Sequence, residues 1–417
     1  MTENLPSTPN QSNSVFNIIV IVAALGYLVD IYDLILFSIV RVQSLKDIGI
    51  TDPTQIADTG LLLLNWQMAG MLLGGVLWGI SGDKFGRISV LFGSILLYSM
   101  ANIANGFVQT VEQYEWLRFI AGIGLAGELG AGITLVSEVM TKESRGYGTT
   151  LVATVGMVGA VMAYFVAKTF DWRTAYFVGG GLGLLLLVLR VSAFESGMYK
   201  NLSKAKVKRG NLLQLFNNKR RAFRYINCIL IGLPTWFVVG ILVTLTPEFA
   251  KNGFGMANPP KTGAEAVLYC YIGLTVGDLV TGVLSQVWKS RRKVMFLFHG
   301  ISMLTVLFYL YSGSNISLNM LYFKCFLLGF GVGFWAVFVT MASESFGTNL
   351  RATTTTTVPN MARGFLVPIT ALFLLARNNF GYINGALIVG LTSTVIAVLA
   401  VYFLDETYGK NLDYVEE

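Results

Sequence analysis

The sequence predicts an all-α membrane protein, with twelve transmembrane helices arranged as two pseudo-symmetric six-helix bundles. Composition is the first observation behind this. Apolar residues make up 54% of the 417 and charged residues 13%, with a mean hydropathy of +0.62. Soluble domains carry about 25% charged residues, and a soluble core of this length has no room for so many apolar side chains. The second observation is a regular series of apolar runs of about 20 residues, the length that crosses a bilayer. The third is an internal echo. Arg118 and Lys324, Gly127 and Gly333, Glu138 and Glu344, and Arg145 and Arg351 each stand 206 positions apart, which makes the two halves related repeats.

Residues 1–14 are polar, rich in Asn, Ser and Pro, and lack a basic start. They read as a disordered tail rather than a cleaved signal peptide. Apolar spans follow near 15–40, 58–81, 88–108, 113–140, 147–168 and 172–194. A second series lies near 223–248, 264–288, 293–312, 317–345, 352–376 and 379–404. The expected division is therefore an N-terminal bundle over 15–194, a basic linker over 195–222, a C-terminal bundle over 223–404 and a tail over 405–417.

Charge orients these spans. The linker holds Lys200, Lys204, Lys206, Lys208, Arg209, Lys219, Arg220 and Arg221, and the turns after helices 2, 4 and 8 are also basic. The alternate loops hold few basic residues, Arg41 and Lys46 in one, Lys251 and Lys261 in another and none between helices 3 and 4. By the positive-inside rule both termini and the linker are cytoplasmic, as in a multi-pass protein of the bacterial inner membrane. The net charge of +7 is then a mark of topology and lipid contact rather than of nucleic-acid binding. Three cysteines and a single histidine, His299, have no metal-ligand spacing.

The turn between helices 2 and 3 reads GISGDKFGR, Gly79 to Arg87. Glycine permits a tight turn there, and Lys84 and Arg87 stay in water at the lipid surface. This turn resembles the signature loop of the major facilitator superfamily, with Gly79, Asp83, Lys84, Gly86 and Arg87 in place and Ile88 where a second base is usual. Its second-half counterpart, Gly282 to Arg291, is degenerate, with Gln286 in the acidic position. Ser137-Glu138 through Arg145-Gly146, Phe194-Glu195-Ser196 and Asp405-Glu406-Thr407 resemble motifs of the sugar-porter and metabolite–proton symporter branches. The resemblance implies two bundles around a central site that opens alternately to each side, with no cofactor. In such folds the site lies near the midplane, between the repeats. Glu138 with Arg145, Glu344 with Arg351, and Asp83 with Arg87 are the expected cytoplasmic latches.

Ionisable residues inside the membrane are costly and usually face a cavity or a partner. Asp30 and Asp33 lie three apart on helix 1 and share a face. Two close carboxylates suit a proton carrier, and the D-x-x-D spacing resembles helix 1 of aromatic-acid–proton symporters. Glu128 on helix 4 joins them as a proton-coupling candidate. Arg118 lies at about the depth of Asp33, so an ion pair between helices 1 and 4 is expected. Arg363 stands between Pro359 and Pro368, which free backbone carbonyls and let the helix bend. Buried cations at this depth point to an anionic substrate. Arg118, Arg363, Asp278 and Lys324, with Tyr27, Trp66, Gln67, Trp236 and Trp335, are the expected lining.

Other signals are discounted. Gly122 to Gly127 spells GxGxxG inside a membrane helix with no preceding strand, so it reads as close helix packing. No nucleotide-binding loop or nucleophile–base motif appears, which argues against an enzyme or an ATP-driven pump. Helix 7 lacks the Gln-Gln and Gly-x-Asn pattern that sugar porters use on the sugar. The expectation is a monomeric secondary transporter of a small organic acid, coupled to protons. The alternatives are an exporter of drugs or metabolites, a sugar transporter, and a non-transporting membrane sensor.

Overall fold

The computed structural model describes residues 18–141, 144–195, 212–347, 349–410 and 416. The side chains of Asp83, Arg87 and Glu138 lie outside this description, as do the disordered tail and most of the linker expected from the sequence. The described chain is helical throughout. The N-terminal half contains α1 (Ile18–Asp47), α2 (Pro53–Phe85), α3 (Arg87–Asn105), α4 (Val111–Leu125), α5 (Glu128–Val139), α6 (Arg145–Thr169) and α7 (Trp172–Glu195). The C-terminal half contains α8 (Lys219–Leu230), α9 (Leu233–Phe237), α10 (Thr246–Glu248), α11 (Ala264–Val287), α12 (Arg291–Leu310), α13 (Leu318–Gly331), α14 (Trp335–Glu344), α15 (Arg351–Gly364) and α16 (Leu366–Phe403).

Local chemistry sets the helix ends. Asp52 accepts the Gln55 N–H at 2.8 Å and Pro53 opens α2. Thr110, Ser290 and Ser317 cap α4, α12 and α13 in the same way. A side-chain oxygen at that position satisfies one of the orphan N–H groups of the first turn. Gly86 takes φ 94° between α2 and α3, the left-handed region that glycine enters without a steric penalty.

Twelve membrane crossings result, several of them broken. The fourth is α4 followed by α5, interrupted around Gly127, and the tenth is α13 followed by α14, interrupted around Gly333. The two breaks fall on equivalent positions of the repeat. The seventh runs from α8 through α9 into π-helical turns at 238–243 and 249–253. The eleventh bends after Gly364, and the twelfth follows a kink at Gly381, φ 78°, without an intervening loop.

In the first bundle α1 packs on α5, α6 and α7, while α4 packs between α2 and α3. Gly122 backs onto the Gln67 carbonyl of α2 and Gly124 onto the backbone of Tyr98 in α3. The GxGxxG run therefore serves packing. The halves meet along α2 with α15 and along α6 with α11, two contacts that the repeat exchanges. Lipid-facing positions remain apolar, among them Leu62, Leu77, Phe165, Val188 and Leu304. Among the described residues four arginines are buried to 1% exposure or less, Arg41, Arg118, Arg190 and Arg363. What surrounds them defines the site.

Candidate functional site

Arg363 lies in the last turn of α15, at the boundary between the halves. Its Nη1 donates to Asn360 Oδ1 at 3.2 Å and its Nη2 to the Tyr27 hydroxyl, in the other half, at 3.4 Å. Asn360 Nδ2 also donates to the Ala126 carbonyl at 2.7 Å, at the break of the fourth crossing. That break exposes a carbonyl which an unbroken helix would have used. The Arg363 guanidinium sits 5.4 Å from the Trp335 ring and 5.8 Å from the Trp236 ring, and the two indoles meet edge to face. Arg363 Nε and both indole N–H groups are buried without a hydrogen bond. Leaving buried donors unpaired is costly, and a planar carboxylate between two aromatic faces is an acceptor of the right shape.

The carboxyls lie in the first bundle. Asp30 and Asp33 are fully buried, and none of their oxygens accepts a hydrogen bond. Glu128, which opens α5, is bound through both oxygens by Arg190 of α7, with Nη1 to Oε2 at 3.0 Å and Nη2 to Oε1. Arg190 was not a candidate from sequence. It stands near the end of an apolar run, where an arginine reads as a boundary charge.

Both ends of the interface are closed. At the end bearing the GISGDKFGR turn, Arg145 pairs with Glu344 at 3.1 Å across the halves, and Arg291 pairs with the same carboxylate at 3.3 Å. Thr407 donates to Glu344 at 2.9 Å, and Thr149 bonds Thr340 across the interface. At the opposite end Arg41 pairs with Glu248 at 2.8 Å and donates to the Thr244 carbonyl at 3.1 Å. Ser38 and Thr244, repeat-equivalent residues, meet there through their hydroxyls. Arg377 adds an exposed pair with Asp58. Contacts that join the halves at both ends of the interface make an occluded arrangement.

Several expectations are corrected. Arg118 does not pair with Asp33. It donates to Gln67 Oε1 and lies against the Phe37 and Tyr176 rings, within the first bundle. Lys324 does not join Arg363. Its Nζ donates to the Phe308 carbonyl and Ser312 Oγ near the helix end, because a long ammonium side chain reaches the interface rather than the bilayer centre. Asp278 serves as a helix cap: its Oδ1 accepts the Ala336 N–H at 3.0 Å where α14 resumes. Trp66 packs tilted against Trp116 and edge to face with Phe119, and Trp116 is half exposed. The latch that the described residues form gathers on Glu344, with one arginine from each half. Arg145 takes Glu344, and Glu344 takes Arg291 rather than Arg351. The Asp83–Arg87 and Glu138–Arg145 expectations rest on side chains outside the described residues.

Two repeated six-helix halves around a buried, aromatic-walled cation define a membrane carrier of the alternating-access class. The family model for the Major Facilitator Superfamily matches residues 14–366, and the chain belongs to that superfamily of transporters, so it is a multi-pass secondary transporter and not an enzyme. It is 23% identical to the niacin transporter NiaP of Acinetobacter baylyi, over 94% of this chain and 95% of that one. It is 25% identical to the cis,cis-muconate transport protein of the same organism, over 92% and 93%. Among solved structures, the proton:xylose symporter XylE bound to 6-bromo-6-deoxy-D-glucose superposes with a TM-score of 0.69 at 18% identity, over 94% of this chain and 97% of that one. At that identity the likeness concerns the fold.

Proposed function

We propose that this chain carries a small organic acid, most readily a planar aromatic or muconate-like carboxylate, together with a proton. The observation that carries the reading is Arg363, a buried guanidinium between two indoles with unused donors facing the interface. Relatives named for niacin and for cis,cis-muconate support that class. Arg118, held within the first bundle, serves the carboxyls of helix 1 rather than the substrate. Asp30, Asp33 and Glu128 are the proton-coupling set, since a carboxylate arriving at Arg363 adds a negative charge that a proton offsets in a low-dielectric site.

The moving bodies are 15–194 and 223–404, joined by 195–222. The basic turns place the GISGDKFGR end in the cytoplasm, and the bacterial relatives support the inner membrane. Arg145–Glu344–Arg291 is then the cytoplasmic latch and Arg41–Glu248 the outer one. The test is binding of nicotinate, benzoate, cis,cis-muconate and xylose to purified protein by thermal shift. A carboxylate that stabilises wild type but not Arg363→Ala supports the reading. Stabilisation by xylose alone, or binding indifferent to Arg363, refutes it.

A further inference from the structure

The Glu128–Arg190 pair lies outside the substrate site, yet it is built against helix 1. Arg190 Nη2 donates to the Val22 carbonyl of α1 as well as to Glu128. A Cβ on Gly26 would overlap both Arg190 Nη2 and Glu128 Oε1, so the ion pair occupies a notch that only glycine leaves open. Val22, Gly26 and Asp30 stand four apart on one face of α1. The pair therefore packs against α1 one helical turn from the position of Asp30. Tyr98 of α3, Glu128, Arg190 and Arg363 are the titratable or charged groups from other helices that act on or share this pocket with Asp30.

Three carboxyls, Asp30, Asp33 and Glu128, stand among two guanidiniums, Arg190 and Arg363, whose charges both act on Asp30. A substrate carboxylate that takes Arg363 offsets one of those two positive charges, leaving Arg190 as the cation open to Asp30. We propose that Arg190 is a coupling switch: on substrate binding it leaves Glu128 for Asp30, and the freed Glu128 carboxylate takes up the transported proton. One ion pair breaks, one forms, and one proton enters for each substrate carboxylate. Return of Arg190 to Glu128 expels the proton when the substrate departs. This deepens the organic-acid reading above and rests on it.

Single substitutions strand a buried charge and threaten the fold, whereas replacing both members by neutral side chains is tolerated far better. The decisive variant is therefore Glu128→Gln with Arg190→Gln, purified and reconstituted in liposomes, with [14C]nicotinate as probe and protein-free liposomes as the blank. Two readouts separate coupling from carriage: counterflow without a pH gradient, and accumulation across a gradient of one pH unit. One proton per carboxylate allows about tenfold accumulation in wild type. The double variant is expected to keep measurable, slowed counterflow and to accumulate nothing above equilibrium. Full accumulation would make the pair merely structural and overturn the proposal. Loss of counterflow along with accumulation, in protein whose melting temperature matches wild type, would overturn it equally. If wild type itself shows gradient-independent uptake, the proton-coupled reading fails first, and that outcome is distinguishable because it involves no variant.

Discussion

A single guanidinium shows how far one residue's setting decides its role. Among the described residues four arginines are buried to 1% exposure or less, and of these Arg363 faces both indoles while touching the other half of the molecule. Arg41 and Arg190 are held by carboxylates, and Arg118 by Gln67 within the first bundle. Arg363 has neutral partners drawn from both halves, Asn360 and Tyr27. Arg363→Lys is expected to weaken carboxylate binding almost as much as Arg363→Ala, because the planar fork and its stacking between rings are lost with the charge retained. A loss of about 2–3 kcal/mol corresponds to roughly thirty- to hundredfold, read by titration of intrinsic tryptophan fluorescence. A Lys variant that binds like wild type would reduce the site to simple charge attraction. Asp30→Asn is expected to abolish accumulation driven by a pH gradient while leaving part of the exchange, measured in the same vesicles. Normal uphill transport by this variant would remove Asp30 from the coupling set.

At the scale of elements, helix ends do mechanical work in this protein. Glu406, just beyond α16, accepts the backbone N–H groups of Arg291, Thr407 and Tyr408 at 2.9 Å, along with the Ser290 hydroxyl. It thereby ties the C-terminal segment to the start of α12, the helix that presents Arg291 to Glu344. Partial burial opposes its ionisation, but the Ser290 hydroxyl and the backbone donors outweigh this and hold its carboxyl below the usual range. A carboxyl with a depressed folded pKa contributes stability that is present above its unfolded pKa and is lost as pH falls through the folded value. Glu406→Gln is therefore expected to lower the melting temperature at pH 7, by the equivalent of about 1–2 kcal/mol, and the gap to wild type should close on acidification below the ordinary carboxylate range. A gap that persists at low pH would mean that shape, not charge, makes the contact.

Across the whole molecule, two latches of unlike construction hold the occluded arrangement. The Arg145–Glu344–Arg291 cluster is buried on every member, so Glu344→Gln strands two guanidiniums. Breaking a buried pair this way costs about 3–5 kcal/mol, enough to shift a near-balanced equilibrium by a hundredfold or more. Glu248→Gln releases the single Arg41 at the other end, while the exposed Arg377–Asp58 pair is worth only about 0–1 kcal/mol. Spin labels at the ends of α5 and α14 are expected to separate in Glu344→Gln, and labels at the ends of α1 and α10 to separate in Glu248→Gln. Both pairs of labels are to be read by pulsed dipolar spectroscopy. Unchanged distances at both ends would mean that these charges set topology and helix ends only.

The class, the twelve crossings and the repeat were legible in the chain because bilayer thickness and hydrophobicity act on each segment separately. The breaks near Gly127 and Gly333 were not legible: the apolar runs 113–140 and 317–345 read as unbroken spans, because hydrophobicity does not report where a helix is interrupted. That Asp30, Asp33, Glu128 and Arg363 are buried charges inside the spans was also readable, because each stands within an apolar run. Partnership was not readable. Whether Arg145 met Glu138 or Glu344, whether Arg118 met Asp33 or Gln67, and that Arg190 reached Glu128 through the notch at Gly26 all depended on which helix faces oppose each other. Those faces are set by packing of residues scores of positions apart. Sequence alone determined the solvent each segment would meet and the charges it would carry there; the tertiary structure decided which charges pair, because Coulomb energy falls with a distance in space that separation along the chain does not measure.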